Sequence, residues 1–183
     1  MSAFISDQEI LEKFTHDGTK AAAFTALVNK YHEKVYWHVR RIVLDHEDAN
    51  DVCQNIFIKV WNNLHTFQQN SKLYTWLYRI ATNESLTFMN QRKRRDTAPL
   101  ETNEYDYAAQ LQADPYFDGN ELQIKLQTAI AGLPEKQRMV FLMRYYEEMK
   151  YEDMSEVLDT SVGALKASFH HAVKKIEKYM KEV

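Results

Sequence analysis

Between Phe67 and Arg95 the chain reads FQQNSKLYTWLYRIATNESLTFMNQRKRR, and three kinds of side chain follow one another there. Gln68, Gln69, Asn70 and Ser71 form a polar loop whose amides and hydroxyl can donate to and accept from a base edge at little steric cost. Phe67 opens the stretch, and an aromatic-rich helix follows it. Arg92, Lys93, Arg94 and Arg95 close it with four adjacent cations. Loop, stacking rings and phosphate clamp in series are what holding unstacked nucleic-acid bases requires. Extruding a base costs a few kcal/mol, and a stacked base with edge hydrogen bonds returns about 1–3 kcal/mol. Cations favour a helix C-terminus, but four in a row exceed what capping needs. Each phosphate they neutralise releases counterions, which makes such binding steeply salt-dependent.

Helices must position these residues. Ser6 and Glu9 have capping-box spacing, Ile10, Leu11 and Phe14 share a face, and Gly18 is expected to stop that turn. From Lys20 to Leu44 the positions Phe24, Leu27, Val28, Tyr31, Val35, Val39, Ile42 and Val43 keep a helical period. Asp45 can cap the next helix, whose stripe is Ala49, Val52, Cys53, Ile56, Phe57, Val60, Trp61 and Leu64. On the helix from Leu73 to Arg95, Leu73, Trp76, Leu77, Ile80 and Ala81 join the same core. Thr75, Arg79, Thr82, Asn83, Leu86 and Asn90 fall opposite that stripe, with Arg79 and Asn83 the best placed for base or backbone contact. The fold expected is all-α, with residues 1–95 packed as a small helix bundle.

Residues 96–120 break the period and carry two of the three prolines, which reads as a linker. From Glu121 helix resumes. Leu122, Leu126, Ala129, Ile130 and Leu133 form a stripe, and Pro134 suits the first helical position. A short helix over Lys150–Leu158, a break at Asp159, Thr160 and Ser161, and a basic helix from Val162 have helix-turn-helix spacing. Met154, Leu158, Val162, Leu165, Phe169, Ala172 and Ile176 are its expected core. Gly163, Lys166, Ala167, His170 and Lys174 face away.

Charge is segregated. Residues 1–95 hold 13 Lys/Arg against 10 Asp/Glu, 96–121 hold seven acidic residues and no Lys or Arg, and 122–183 hold 10 against 9. The net charge of -3 is thus an average over segments with different tasks, and local patches set affinity for phosphate. Low glycine and proline contents, Gly 4 and Pro 3, argue against an all-β chain. One cysteine, Cys53, excludes an internal disulfide framework and a Cys-rich zinc site. No apolar run approaches the ~20 residues of a membrane span and no signal-peptide core is present, so a cytoplasmic protein without membrane insertion is expected. His32-Glu33 and His46-Glu47 lack the H-E-x-x-H spacing, no G-x-x-x-x-G-K-[ST] loop exists, and His170-His171 point apart on a helix. No catalytic residue, metal or cofactor is therefore assigned.

On the Asp48–Trp61 helix, Asp51, Gln54, Asn55, Ile58 and Lys59 lie opposite the stripe, and an exposed Ile58 among polar groups suits a partner surface. DANDVCQNIFIKVW followed by LYTWLYRIATN, a basic tail, an acidic linker and LPEKQRMVFLMRYYEEMKYEDMSEVLDTSVGALKASFHHAVKKI resembles the extracytoplasmic-function (ECF) sigma factors, over nearly the whole chain. TWLYRIATN is the most specific piece. The resemblance implies a non-enzymatic initiation factor that binds core RNA polymerase and promoter DNA, duplex and single-stranded. It implies that Asp51, Gln54, Asn55 and Ile58 dock the polymerase, with Asn55 standing where relatives usually carry Glu. It gives Phe67, Gln68, Gln69, Asn70, Ser71, Arg79 and Asn83 to the minus-10 element and Arg92–Arg95 to phosphate. The last helix would read minus-35 duplex with Gly163, Lys166, Ala167, His170 and Lys174. Lys and His there make a poorer fork to guanine than arginine does, so shape readout gains weight. An anti-sigma factor is a further partner that the resemblance adds.

Trp76 admits two readings, a wedge between strands by resemblance and a core residue by its place on the stripe; the stripe favours core. Promoter elements one and a half turns apart lie roughly 50 Å from each other. A linker of this length spans about 25–30 Å as a coil and ~80 Å extended, so it must be drawn out along a scaffold when both halves hold DNA. A stand-alone dimeric helix-turn-helix regulator is the competing reading, but it leaves TWLYRIATN without purpose.

Overall fold

Apolar residues at helical spacing, a few side-chain caps and left-handed stops determine where each helix begins and ends. The computed structural model describes residues 5–95 and 119–182. Among these residues it is all-α, with eight helices in two compact units divided between Met89 and Asn90. The linker expected over 96–120 lies outside the described residues apart from its last two positions.

The first unit contains α1 (Asp7–Phe14), α2 (Asp17–Val43), α3 (His46–Asn63), a 3-10 turn (Leu64–Thr66) and, as far as Met89, α4 (Leu73–Arg95). Ser6 accepts a hydrogen bond from the Glu9 amide, while the Glu9 carboxylate turns to Lys13 at 2.6 Å. Asp7 pins α1 to α2, taking Lys30 Nζ at 2.7 Å and the Tyr31 hydroxyl at 2.8 Å. Gly18 does not end α1 as expected. Thr15 caps that helix, and Gly18 lies in the first turn of α2. Leu44 ends α2 in the left-handed region at φ 68, and the Asp45 side chain caps α3 by accepting from the Asp48 amide. Leu27, Val35, Val39, Ile56, Val60 and Leu77 meet in one core and are fully buried. Each aliphatic side chain so buried contributes about 1.5–3 kcal/mol. Phe14, Phe24 and Trp61 close one end of this core edge to face.

The second unit contains α5 (Glu121–Ala131), α6 (Glu135–Tyr145), α7 (Tyr151–Leu158) and α8 (Val162–Lys181). A complete capping box between Asn120 and Gln123 opens α5. Pro134 stands one position earlier than expected, as the N-cap of α6. Leu122 is not core: it is 64% exposed on the first turn of α5, while Ala129, Ile130 and Leu133 are buried. α6 buries five consecutive residues, Met139 to Met143, so it is enclosed nearly all round. α8 packs against α5, α6 and α7 and organises the unit. Asp159, left-handed at φ 48, ends α7, and the Ser161 hydroxyl accepts from the Ala164 amide to start α8.

Candidate nucleic-acid interface

On α3, burial of Ala49, Val52, Cys53, Ile56, Phe57 and Val60 leaves Asp51, Gln54, Asn55 and Ile58 exposed, as the period implied. Ile58 is 53% exposed. Lys59 on that face is ion-paired with Glu84 of α4. Cys53 faces inward, and burial pushes its thiol up to about 12.

The loop after the 3-10 turn exposes Gln68, Gln69 and Asn70 and half-buries Ser71. Gln69 takes φ 56, and Asn70 Nδ2 donates to Gln68 Oε1 at 3.2 Å. Phe67 is half-buried with its ring 5.4 Å from that of Trp76. Both rings pack against the core, which agrees with the core reading of Trp76.

α4 is less open than the sequence suggested. Arg79 and Asn83 are exposed, but Thr75 and Thr82, expected on the same outward face, are buried. The reason is a second contact. His38 of α2 is buried, its Nε2 2.9 Å from Thr82 Oγ1 and its ring 4.8 Å from that of Tyr78. Burial, with the nearby Arg41 guanidinium adding to it, holds the His38 pKa down to about 3, so the ring is neutral. Tyr78 and Ser85 are also buried, and the Ser85 hydroxyl returns to the Ala81 carbonyl at 2.8 Å. Sequence reasoning passed over His38. The available signal was its spacing, three residues after Val35 and four before Ile42. Arg92, Lys93 and Arg94 are exposed on the last turn of α4, and Arg95 ends that helix.

On α8, Gly163, Lys166, Ala167, His170 and Lys174 are all exposed opposite buried Leu165, Ala172 and Ile176. A Cβ at Gly163 would meet nothing within 4 Å, so folding does not demand a glycine there. Lys166 and Arg144 both lie against the ring of Tyr151, and neither Arg144 nor Tyr151 was singled out in the sequence. The Lys166 ammonium lies 5.7 Å from the ring centre of Tyr151, and the Arg144 guanidinium lies 5.3 Å from the same ring. Arg144 also donates to the Met149 carbonyl at 3.1 Å, bracing the turn in which Glu148 takes φ 50. No sequence spacing announces that cluster, because its members come from three helices. Among the described residues no group of His, Cys, Asp and Glu could hold a metal ion, and no helix is long and apolar enough to cross a membrane.

A helical unit with an exposed polar loop and helix face, followed by a unit with a helix-turn-helix, is the arrangement found in sigma-70-type proteins. The Sigma-70 region 2 profile matches residues 27–95, and the Sigma-70, region 4 profile matches residues 123–176. The chain is 30% identical over 185 residues to an ECF RNA polymerase sigma-E factor of Haemophilus influenzae, covering 97% of this chain and 96% of that one. It is 32% identical over 180 residues to the RNA polymerase sigma-H factor of Pseudomonas aeruginosa, covering 94% and 92%. In fold it is similar to the sigma factor RpoE of Bartonella quintana, solved in complex with the anti-sigma factor NepR. That likeness has a TM-score of 0.69 at 19% identity and covers 87% of this chain and 97% of that one. The chain belongs to the ECF sigma factors, non-enzymatic proteins that direct RNA polymerase to promoters. That membership sets aside the stand-alone regulator.

Proposed function

We propose that residues 1–95 dock core RNA polymerase and capture the opened minus-10 strand, and that residues 121–183 hold the minus-35 duplex. The acidic stretch 96–120 spans between them in the cytoplasm. The observation that carries this reading is the division of α4. Arg79 and Asn83 emerge from a helix buried at Leu73, Thr75, Leu77, Tyr78, Ala81, Thr82 and Ser85, and the exposed amides of Gln68, Gln69 and Asn70 precede it. Polar groups held in one orientation can receive an unstacked base without first being ordered. Phe67 and Ser71, half-buried, line the base of that loop, and Arg92, Lys93, Arg94 and Arg95 hold the backbone.

Asp51, Gln54, Asn55 and Ile58 form the polymerase-docking surface, where one apolar side chain among polar groups suits a protein partner. On α8, Lys166 reaches the groove, with Gly163, Ala167, His170 and Lys174 along the same face. Melting is driven by binding energy, since single strands are captured as they open. An anti-sigma factor that covers the docking surface is the natural inhibitor. The test is run-off transcription with core polymerase on a library of randomised promoters without an ATPase activator. Enrichment of two elements at fixed spacing is the expected result. ATP hydrolysis by the pure protein coupled to opening would falsify the mechanism.

A further inference from the structure

Trp37 is a large apolar side chain left 40% exposed on α2, yet it is held in place. Tyr36 meets its indole at 73° with ring centroids 5.3 Å apart, and the Tyr36 hydroxyl is itself anchored 2.7 Å from His46 Nδ1. One turn further along, Arg41 lays its guanidinium over the indole, 5.9 Å from the centroid. A ring already fixed by its neighbours loses little freedom when a flat ligand stacks on it.

The position of Trp37 indicates the ligand. His38, the next residue, is where α2 meets Thr82 and Tyr78 of α4. On α2 the core residues Val35, Val39 and Ile42 lie to one side of His38, and Arg41 and Trp37 lie to the other. On α4 the core residues Leu77 and Ala81 lie to one side of Thr82, and exposed Arg79 lies to the other. Trp37, Arg41 and Arg79 therefore share the outer side of one seam. The residues one turn from Trp37 along α2 are Glu33, Lys34, Arg40 and Arg41, three cations to one carboxylate. The centre of a protein–protein interface is depleted of charge, whereas an aromatic ring among cations matches bases and phosphates.

We infer that Trp37 and Arg41 form a further single-stranded DNA site, with a base of the opened promoter strand stacking on the exposed indole and its phosphate meeting Arg41. This rests on the reading of α4 as the minus-10 face and extends that face onto α2.

The test uses holoenzyme assembled from core polymerase and the full chain. It is titrated with a fluorescent single-stranded oligonucleotide carrying the non-template strand of a promoter recovered from the randomised library. Trp37→Ala should weaken binding roughly five- to a hundredfold, the range that loss of one stacked base implies. Trp37→Tyr should retain most of the affinity, Arg41→Gln should flatten the salt dependence, and core polymerase affinity should not change. A change within about twofold for Trp37→Ala would overturn the site. An equal loss of core polymerase affinity would also overturn it, by making Trp37 a protein contact. Asn83→Ala separates the two readings. If it alone weakens binding, the α4 face stands and the Trp37 site fails. If Trp37→Ala alone does so, the reverse holds, and if neither does, both fail.

Discussion

α4 and α8 both carry residues assigned to DNA, but they are embedded to different degrees. α4 is buried at Leu73, Thr75, Leu77, Tyr78, Ala81, Thr82 and Ser85, and its exposed positions up to Asn90 (Arg79, Asn83, Thr87 and Asn90) run along one strip between them. α8 buries Leu165, Ala172 and Ile176 and leaves Gly163, Lys166, Ala167, His170 and Lys174 on an open face. An unstacked base must be met by groups already aimed, which favours a helix locked on several sides. A duplex groove presents a long, regular surface, and there contacts can be spread over an exposed face. The difference predicts that errors inside α4 are expensive and errors along α8 are shared.

The strongest way to break that contrast is to loosen the seam behind α4. His38→Ala should destabilise the first unit by about 2–4 kcal/mol, through a lost buried ring and a deserted Thr82 hydroxyl. All three tryptophans (Trp37, Trp61 and Trp76) lie in that unit, so urea unfolding followed by indole fluorescence reports on it alone. An unchanged midpoint would show that α4 is not held by this contact. Acid should act through the same residue. With the folded pKa lowered to about 3 by burial and then by Arg41, the unfolded chain takes up a proton below about 6.5 and the folded chain does not. Stability from this group is therefore intact above that pH and falls by about 1.4 kcal/mol per unit as pH drops from there towards 3. His38→Gln should remove that slope.

Next in size, Asn83→Ala should reduce promoter opening about tenfold while core polymerase affinity is kept, because one base or backbone contact is lost. Permanganate footprinting of the opened strand measures it, and equal loss of both activities would make Asn83 structural. On α8 a single change should matter less. Lys166→Ala should weaken minus-35 binding by about 1 kcal/mol and reduce the salt slope by about one phosphate. Tyr151→Leu should do less, and should add little in the Lys166→Ala background, if the ring acts by holding that ammonium. Full additivity in gel-shift titrations would dissociate the two. The smallest effects concern left-handed positions filled by residues with a Cβ. Leu44→Gly in the first unit and Glu148→Gly in the second should each stabilise by about 1 kcal/mol or less, measured by denaturation.

The extent to which these features were legible in the sequence follows from how many partners each helix has. α3 and α8 each bury one stripe, so a period of 3.6 residues gave the exposed residues and most of the buried ones, although Trp61, Val162 and Phe169, expected in the core, are half-buried. α6 is enclosed, and the run from Met139 to Met143 offers no period from which to choose a face. α4 meets a second neighbour through His38, and small hydroxyls were misread as outward groups. Thr75 and Thr82 are both buried, and Thr82 hydrogen-bonds across to His38. Leu122 shows the converse error, an apolar residue in phase with a stripe but left 64% exposed on a helix end. Exposure of Gln68, Gln69, Asn70, Arg79 and Asn83 was legible, while Phe67 and Ser71 are half-buried. The cluster of Arg144, Tyr151 and Lys166 was not, because tertiary structure alone brings together residues from three helices.

The burial of Cys53 has a practical consequence. With its thiol pushed up to about 12, roughly one molecule in 100,000 carries the reactive thiolate at neutral pH. Cys53 is also the only cysteine in the chain. Towards maleimide dyes the native protein therefore behaves almost as a blank, and a single cysteine introduced at an exposed position such as Asn62 would take the label alone. Distances within the initiation complex could then be followed by energy transfer without altering any buried residue.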